Sequence, residues 1–582
     1  MHSRQPNARM VGEQQTHTLT VLYPSARHGV SDRPLPADRE RVSGRQVRRS
    51  AGPQQPACFR DLNLDQIVSA LTPDNTDYDH TPVFWSPLDD VDSIAYRQGV
   101  FADLEREEVA CVVRRFVERR VVFQFRYRIK EIREDDHGLQ HYYRERLFLN
   151  AVNEYCVAVV DLEAGLRASG ATSQALTDIA AYLAGYVESG GFCALHRRAV
   201  ELEHGFDSVR YVLAIRGDRL TVAGFDGEPD FGEQVAATFA RFQQSPADGA
   251  AAAVREWDAY AGTGVLDLIA QLYPDLFTAL DQYCAEHQDY LDAVVAAFDR
   301  DVPFYLGYLD YIAPLRHAGL EFSYPRLSTT DKTEQALDTF DLALARKLHA
   351  PRKRPEGRQV AQRGVTQPGV TNSSGDSFDK THDGIVTNDV TLRGSERILV
   401  ISGPNNGGKT TLARAFGQLH YLTMLGCPVP GADTQVFVCD QIFTHFERAE
   451  DSTTLTGKLQ SELNALRDQF AAATPSSVII LNEMFNSTTA VDALFLSREI
   501  LERVTALDAL CICVTFLDEL ASLNDKTVSM VSTVAPDDPA TRTYKVVRRL
   551  ADGRAYARAI ADKYGLGFDR LVAELARNKR SD

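Results

Sequence analysis

The chain has 582 residues, too many for one hydrophobic core, and the length prior is roughly two to four structural units. Hydrophobic residues make up 44% and charged residues 25%, the balance of folded domains, and no apolar run approaches the roughly eighteen residues that span a bilayer, so the expectation is a cytoplasmic protein with no membrane partner. A net charge of −17 argues against a generic nucleic-acid coat protein, because phosphate neutralisation by Lys and Arg supplies most non-specific affinity; a local basic face stays open.

In chain order, residues 1–56 carry many Arg, Pro, Gly and Gln with little apolar periodicity, the composition of a largely disordered segment. No continuous apolar core marks a secretory signal, and Glu13, Asp32, Asp38 and Glu40 argue against a transit peptide. Residues 57–350 read as a mainly α-helical domain. In "PDLFTALDQYCAEHQDYLDAVVAAFDR", the residues Leu276, Leu280, Tyr283, His287, Leu291, Val294 and Phe298 recur at helical spacing, and Pro303 is expected to end or kink that helix. His287 reads as a packed or half-exposed core histidine. Within this domain "VRYVLAIRGDRLTVAGF" alternates around Gly217-Asp218, which predicts a β-hairpin.

Residues 351–381 are polar, Gly/Pro/Ser-rich and basic at their start, a flexible insertion or linker. From residue 382 to 582 the short apolar runs ILVIS, QVFVC, VIILN, LCICVTF and TVSMVSTV alternate with helical stretches, predicting an α/β domain around a mostly parallel sheet. The nine cysteines are scattered without a C-x-x-C pair and read as reduced core thiols. Cys511 and Cys513 alternate along one apolar run and are read as small hydrophobes, not metal ligands.

Gly403, Pro404, Asn405, Asn406, Gly407, Gly408, Lys409 and Thr410 fit G-x-x-x-x-G-K-[ST] between an apolar strand and a helix expected to begin near Thr411. Glycines let backbone N–H groups turn inward around phosphate oxygens, and the helix N-terminus adds positive partial charge. Lys409 is positioned to reach the β- and γ-phosphates of a nucleoside triphosphate and the Thr410 hydroxyl to bind Mg²⁺. An α/β P-loop NTPase next needs an acidic residue at the end of a neighbouring apolar strand. "SVIILNEMF" is that strand, and it ends in Asn482-Glu483. Asn482 accepts a hydrogen bond from a Mg²⁺-bound water but brings no charge, so metal affinity or turnover is expected to be weaker; Glu483 is the candidate general base.

"GPNNGGKTT", "LNEMFNSTTAVDA", "VTFLDEL" and "IVTNDVTL" resemble, in order and spacing, the ATPase domain of MutS-type DNA mismatch-repair proteins, strongly over residues 385–576 and more weakly over 61–350, where "DVDSIAYRQGVFADL" and "FDRDVPFYLGYLDYI" resemble that family's core and lever segments. The resemblance implies ATP and Mg²⁺ as ligands and a homodimer in which each nucleotide is closed in by the partner subunit. Asn388 matches the asparagine upstream of the nucleotide strand, and Ile385 stands where the family puts an aromatic against adenine. "LTGKLQSELNAL" matches the helix that acts in trans, with Gly457 in place of a phosphate-contacting Ser and Lys458 after it. Ser487, Thr488 and Thr489 match the loop that communicates across the dimer, and Phe516 takes the place of a histidine that senses the γ-phosphate. Asn482, Gly457 and Phe516 each tend to slow hydrolysis.

The family's mismatch readers carry an N-terminal domain with an F-x-E wedge, since an inserted aromatic kinks a weakly stacked step. That domain is not expected here: Phe116-Val117-Glu118 and Phe231-Gly232-Glu233 read as ordinary helix or loop. A basic cluster of Arg114, Arg115, Arg119, Arg120, Arg126, Arg128 and Lys130 falls partly on one helical face. That face either follows a DNA backbone or is solvated and salt-bridged. Two readings remain: a nucleotide-gated dimeric clamp on DNA in mismatch repair or recombination, working with repair-protein partners, or an ATP-switched protein scaffold. The subunit of a transporter is disfavoured by the long helical region ahead of the phosphate loop.

Overall fold

The computed structural model describes residues 19–24, 53–73, 78–123, 141–216, 219–227, 265–349, 384–446, 457–536 and 541–551. The 351–381 insertion, Arg126, Arg128, Lys130, the Phe231-Gly232-Glu233 match and most of 1–56 lie outside them. Two compact units divide the chain, residues 1–20 with 103–303, and residues 21–102 with 304–582. Among the described residues no helix is long and apolar enough to cross a membrane.

The first unit is mainly helical. Glu107–Phe123, His141–Ser169, Gln174–Val187, Gly190–Asp207 and Pro274–Glu286 are its longer helices. Tyr211–Arg216 pairs antiparallel with Arg219–Gly224, Arg216 opposite Arg219, so the hairpin expected around Gly217-Asp218 forms. Phe116 lies in the helix Glu107–Phe123, within the reading of ordinary helix or loop, and is buried there, meeting Phe298 edge-on with ring centroids 5.7 Å apart.

The long apolar seam at 276–298 does not form one helix. Pro274–Glu286 stops at His287, and a new helix, Ala293–His317, begins where the Asp292 carboxylate accepts from the N–H groups of Val294 and Val295 at 2.9 and 3.1 Å. Such a cap satisfies donors that a helix start otherwise orphans. His287 at the break is half-buried, its ring 4.6 Å from that of Tyr283. Pro303 does not end the second helix, which continues to His317.

In the second unit ten strands matter to the site. In chain order they are β1 (Arg326–Ser328), β2 (Glu334–Thr339), β3 (Asn388–Leu392), β4 (Ile398–Ser402), β5 (Asp433–Phe437), β6 (Ile442–Phe446), β7 (Val478–Asn482), β8 (Leu510–Val514), β9 (Thr527–Val534) and β10 (Arg542–Arg548). Six of them form a sheet in the order β6-β7-β8-β4-β9-β10, all neighbours parallel except the antiparallel β9–β10 pair. Every residue of β4, β7 and β8 is buried, as parallel strands covered on both faces require. The apolar run QVFVC is not in this sheet. Its strand β5 joins β1, β2 and β3 in a separate sheet of order β1-β5-β2-β3, and the place beside β7 is taken by β6.

On one face, Ile398, Val400, Ile479, Leu481, Cys511 and Cys513 pack with Leu466 and Phe470 of the helix Lys458–Ala472 and with Leu501 and Val504 of Ala490–Leu507. Cys511 and Cys513 are fully buried, and burial pushes the Cys513 thiol up to about 12, so both are inert core residues. Cys111 and Cys193 depart from the expected core placement and are exposed; Cys111 lies off the stripe of Val109, Val113 and Phe116 that its helix buries.

The other face receives the helix Lys409–Met424, in which every residue from Ala415 to Met424 is buried. It is enclosed from both sides, since a Cβ on Gly417 would lie 2.5 Å from Leu62 and 2.6 Å from Ile480. At its centre the buried Gln418 amide donates to Leu62 O and the Asp341 carboxylate and accepts from the Leu342 N–H, each at 2.8 Å. Gln418→Ala strands three buried polar groups, and the expected loss is about 1–3 kcal/mol, seen as a lower urea midpoint; Gln418→Glu, which puts an acceptor where two donors are needed, is expected to recover none of it.

Candidate functional site

Strand β4 ends at Ser402, and the backbone then turns through Gly403 at φ 116°, Asn406 at φ 58° and Gly408 at φ 89° before entering the helix at Lys409. The first and last of these suit glycine because a side chain is strained there. Room decides the rest: a Cβ on Gly403 would meet Ser532 O at 2.9 Å, and one on Gly407 would meet Pro404 O at 3.0 Å as well as the Ser532 hydroxyl. The loop is thus pressed against β9.

Lys409 is buried, its ammonium donating to the carbonyls of Gly403 at 2.9 Å and Pro404 at 3.1 Å and lying 4.3 Å from the centre of the Phe516 ring. Burial lowers its pKa to about 8; Glu483 and Asp518 oppose that shift and Arg542 adds to it. The Thr410 hydroxyl donates to the Asn482 side-chain oxygen at 2.8 Å. Next to Asn482, Glu483 takes φ 54° while its N–H bonds Val514 O at 2.8 Å, a left-handed backbone that costs about 1–3 kcal/mol and concentrates at functional sites.

These groups border one cleft of about 770 Å³, lined by Asn405, Asn406, Gly407, Gly408, Lys409, Thr410, Thr411, Glu483, Asn388 and Ile385. Gly403, Pro404 and Asn482 support it from behind through the bonds just given. Asn388 does more than line it: its amide donates to Tyr544 O at 3.2 Å and its oxygen accepts from the Val546 N–H at 2.7 Å, which fastens β10 beside the phosphate-type loop. Ile385 is buried, near the apolar side of the cleft formed by Phe340, Leu344 and Leu348.

Sequence reading missed Tyr544, Arg542 and Ser532. Tyr544 lines the cleft with its carbonyl 3.3 Å from a Cβ position at Gly408, and Arg542 donates to Asn405 O at 3.1 Å. No local signal marks them, because β10 approaches the loop from about 140 residues downstream.

The other residues singled out from sequence do not line the cleft. Gly457 is the exposed residue before the helix Lys458–Ala472. Ser487 and Thr489 are exposed and Thr488 half-buried; Thr489 caps Ala490–Leu507, its hydroxyl accepting from the Asp492 N–H at 3.2 Å. In the first unit, Arg119 pairs with Asp161 at 2.9 Å, Arg115 is exposed and Arg114 half-buried.

Residues 399–577 match the family model described as MutS domain V. Among relatives, the chain is 30% identical over 186 residues to the DNA mismatch repair protein MutS of Shouchella clausii, covering 31% of this chain and 21% of that protein. It is 33% identical over 124 residues to DNA mismatch repair protein MutS 2 of Halobacterium salinarum, covering 21% and 14%, and 28% identical over 198 residues to Endonuclease MutS2 of Gemmatimonas aurantiaca, covering 34% and 24%. The matched stretch thus spans between 14% and 24% of the length of these relatives. The glycine loop, the helix after it and the Asn482-Glu483 strand end fall inside the matched stretch: residues 399–577 are similar to MutS domain V, a P-loop ATPase-type domain, and over that region the chain is similar to MutS and MutS2 proteins.

Proposed function

We propose that the chain binds ATP with Mg²⁺, hydrolyses it slowly, and works as a nucleotide-gated dimeric clamp, acting on DNA as the names of its relatives suggest. The observation that carries this reading is the 2.8 Å bond between Thr410 and Asn482 beside Lys409 and Glu483 at one end of a glycine-walled cleft. The residues fit the ligand. Oxygen donors suit Mg²⁺, and a loop that a Cβ would obstruct suits close backbone approach to phosphate.

Bound Mg-ATP supplies a polarised phosphoanhydride. The protein holds it by the N–H groups of residues 405–410 and by Lys409, whose ammonium exchanges the carbonyls of Gly403 and Pro404 for phosphate oxygens. Thr410 and Asn482 would hold the metal ion, Asn482 through a bound water, and the Glu483 carboxylate would take a proton from the attacking water. Ile385 with Leu344 and Leu348 offers an apolar surface to the base. Phe516 stacks on Lys409 but carries no proton, and Asn482 carries no charge; both favour slow turnover.

Dimerisation draws support from Val491 and Phe495, 78% and 62% exposed one turn apart on Ala490–Leu507, immediately after residues 487–489. Uncovered large apolar side chains are surfaces for a partner, and Gly457 and Lys458 would close the cleft from the second subunit. The scaffold reading gains from the Arg119–Asp161 pair, which engages one cation of the proposed DNA face.

The test is calorimetry of Mg-ATP with sedimentation, followed by titration of branched, mismatched and plain duplex DNA. Heat of association, a shift to dimer and ATP-dependent DNA retention are the expected results; no DNA binding at low salt leaves the scaffold. Asn482→Asp restores a carboxylate beside the metal water, and Mg²⁺ is expected to bind about tenfold more tightly, roughly 1.4 kcal/mol, with faster turnover.

A further inference from the structure

Ser532 is a polar side chain to which the nucleotide reading gives no task. On β9, Val531 pairs in register with Ser402 of β4, so Ser532 stands level with Gly403, where the glycine loop opens. The residue is fully buried, and its hydroxyl has no hydrogen-bond partner among the described residues. A buried hydroxyl left unpaired is costly. Strand β9 pairs with β10 at Ser532 and Val546 and then shifts register before Val534, and such irregularities collect beside functional sites, where they re-aim a side chain.

What lies beside that hydroxyl is the loop and its carbonyls. Ser532 Oγ is 2.8 Å from the Cβ position at Gly403, and the Cβ position at Gly407 has both Ser532 Oγ and Pro404 O within 3.0 Å. The two oxygens flank one small gap and do not bond across it. Pro404 O has another donor: with Gly403 O it accepts from the Lys409 ammonium, at 3.1 and 2.9 Å. A lysine that turns to phosphate takes that donor away. Pro404 O is then a carbonyl in need of a proton, next to a buried hydroxyl that has one to give.

We propose that Ser532 is a positioning residue that takes over the Pro404 carbonyl when the Lys409 ammonium moves from the loop to a phosphate, so that the loop is held in both states. The proposal rests on the nucleotide role given to Lys409. The competition of the two side chains for one carbonyl needs no nucleotide, and it is tested without any.

The first measurement is urea unfolding of the full-length protein in the absence of nucleotide. Ser532→Ala alone is expected to leave the midpoint unchanged or raised, because it removes an unpartnered hydroxyl. In the Lys409→Met background, where Pro404 O has lost its donor, the same change is expected to lower the midpoint; Lys409→Ala serves if Lys409→Met does not fold. The second measurement is calorimetry with Mg-ATP, in which Ser532→Ala is expected to bind about fivefold more weakly than the parent, the effect of one hydrogen bond between uncharged groups. A lowered midpoint or a failure to fold for Ser532→Ala alone shows that the hydroxyl is already bonded in the unliganded protein and overturns the proposal. An effect of Ser532→Ala that is the same with and without Lys409 overturns it too, as does an unaltered Mg-ATP affinity beside a parent that binds. A parent that binds no Mg-ATP removes the nucleotide reading instead, and the unliganded variants still decide whether Ser532 and Lys409 share the carbonyl.

Discussion

Lys409→Ala is expected to weaken Mg-ATP binding by at least about a hundredfold. The ammonium is the only Lys or Arg head group among the described residues that line the cleft, and hydrogen bonds from a cation to a phosphate contribute about 1.5–3 kcal/mol each. Two such bonds exceed the threshold for a hundredfold change. The substitution also releases the carbonyls of Gly403 and Pro404, so part of the loss is loop order; Lys409→Met, which keeps the buried stem, separates the two. The same residue sets a pH dependence. With the free-state pKa near 8, Lys409 is charged below that value and loses its proton above it, whereas a bound phosphate favours the charged form. Affinity is therefore expected to hold constant below about pH 8 and to fall up to tenfold per unit above it, with proton uptake on binding; a pH-independent affinity from 7 to 9.5 contradicts the assignment.

What sequence reveals about this site follows from how local each constraint is. The loop from Gly403 to Thr410 is legible because its glycines answer to backbone dihedrals and to room for a Cβ, which act within eight residues. Asn482-Glu483 is legible because the strand before it is wholly apolar and buried. Beyond that range the signal fades. QVFVC and IFTHF are both short apolar runs, and nothing in either says which joins β7; the structure gives β6 the place and sends β5 to the other sheet. Ser532 and Tyr544 shape the loop through contacts at large sequence separation, where periodicity is silent. The seam at 276–298 misled for a different reason: apolar spacing continues across 287–292, while the Asp292 cap that restarts the helix is a polar signal that a hydrophobic period does not register. Pro303 shows the converse. A proline removes one N–H and crowds the preceding turn, yet Ala293–His317 buries Phe298, Val302, Tyr305 and Ile312 along its length, and packing of that order outweighs one lost bond.

Glu483→Gln tests the chemistry rather than the binding. The amide keeps the shape of the carboxylate and cannot accept a proton as a base, so hydrolysis is expected to fall by about 10²–10⁴-fold while Mg-ATP still binds. Two features of the site make the separation clean. Glu483 is not a partner of the Thr410–Asn482 bond, so the metal side is unaltered. Its φ of 54° and its N–H bond to Val514 are backbone properties that Gln inherits, so the strand end keeps its form. The carboxylate also favours the charged form of Lys409; its loss lowers the Lys409 pKa further, and the pH above which affinity falls should move down in the variant. A rate unchanged by Glu483→Gln, with binding intact, would assign the base to another group and leave Asp518, the other acid that acts on Lys409, as the next to replace. If the clamp reading holds as well, the variant traps the ATP-bound dimer, because closure no longer ends in hydrolysis. Sedimentation with Mg-ATP then shows a dimer that persists for many parental turnover times, and a monomer under those conditions breaks the link between nucleotide occupancy and assembly.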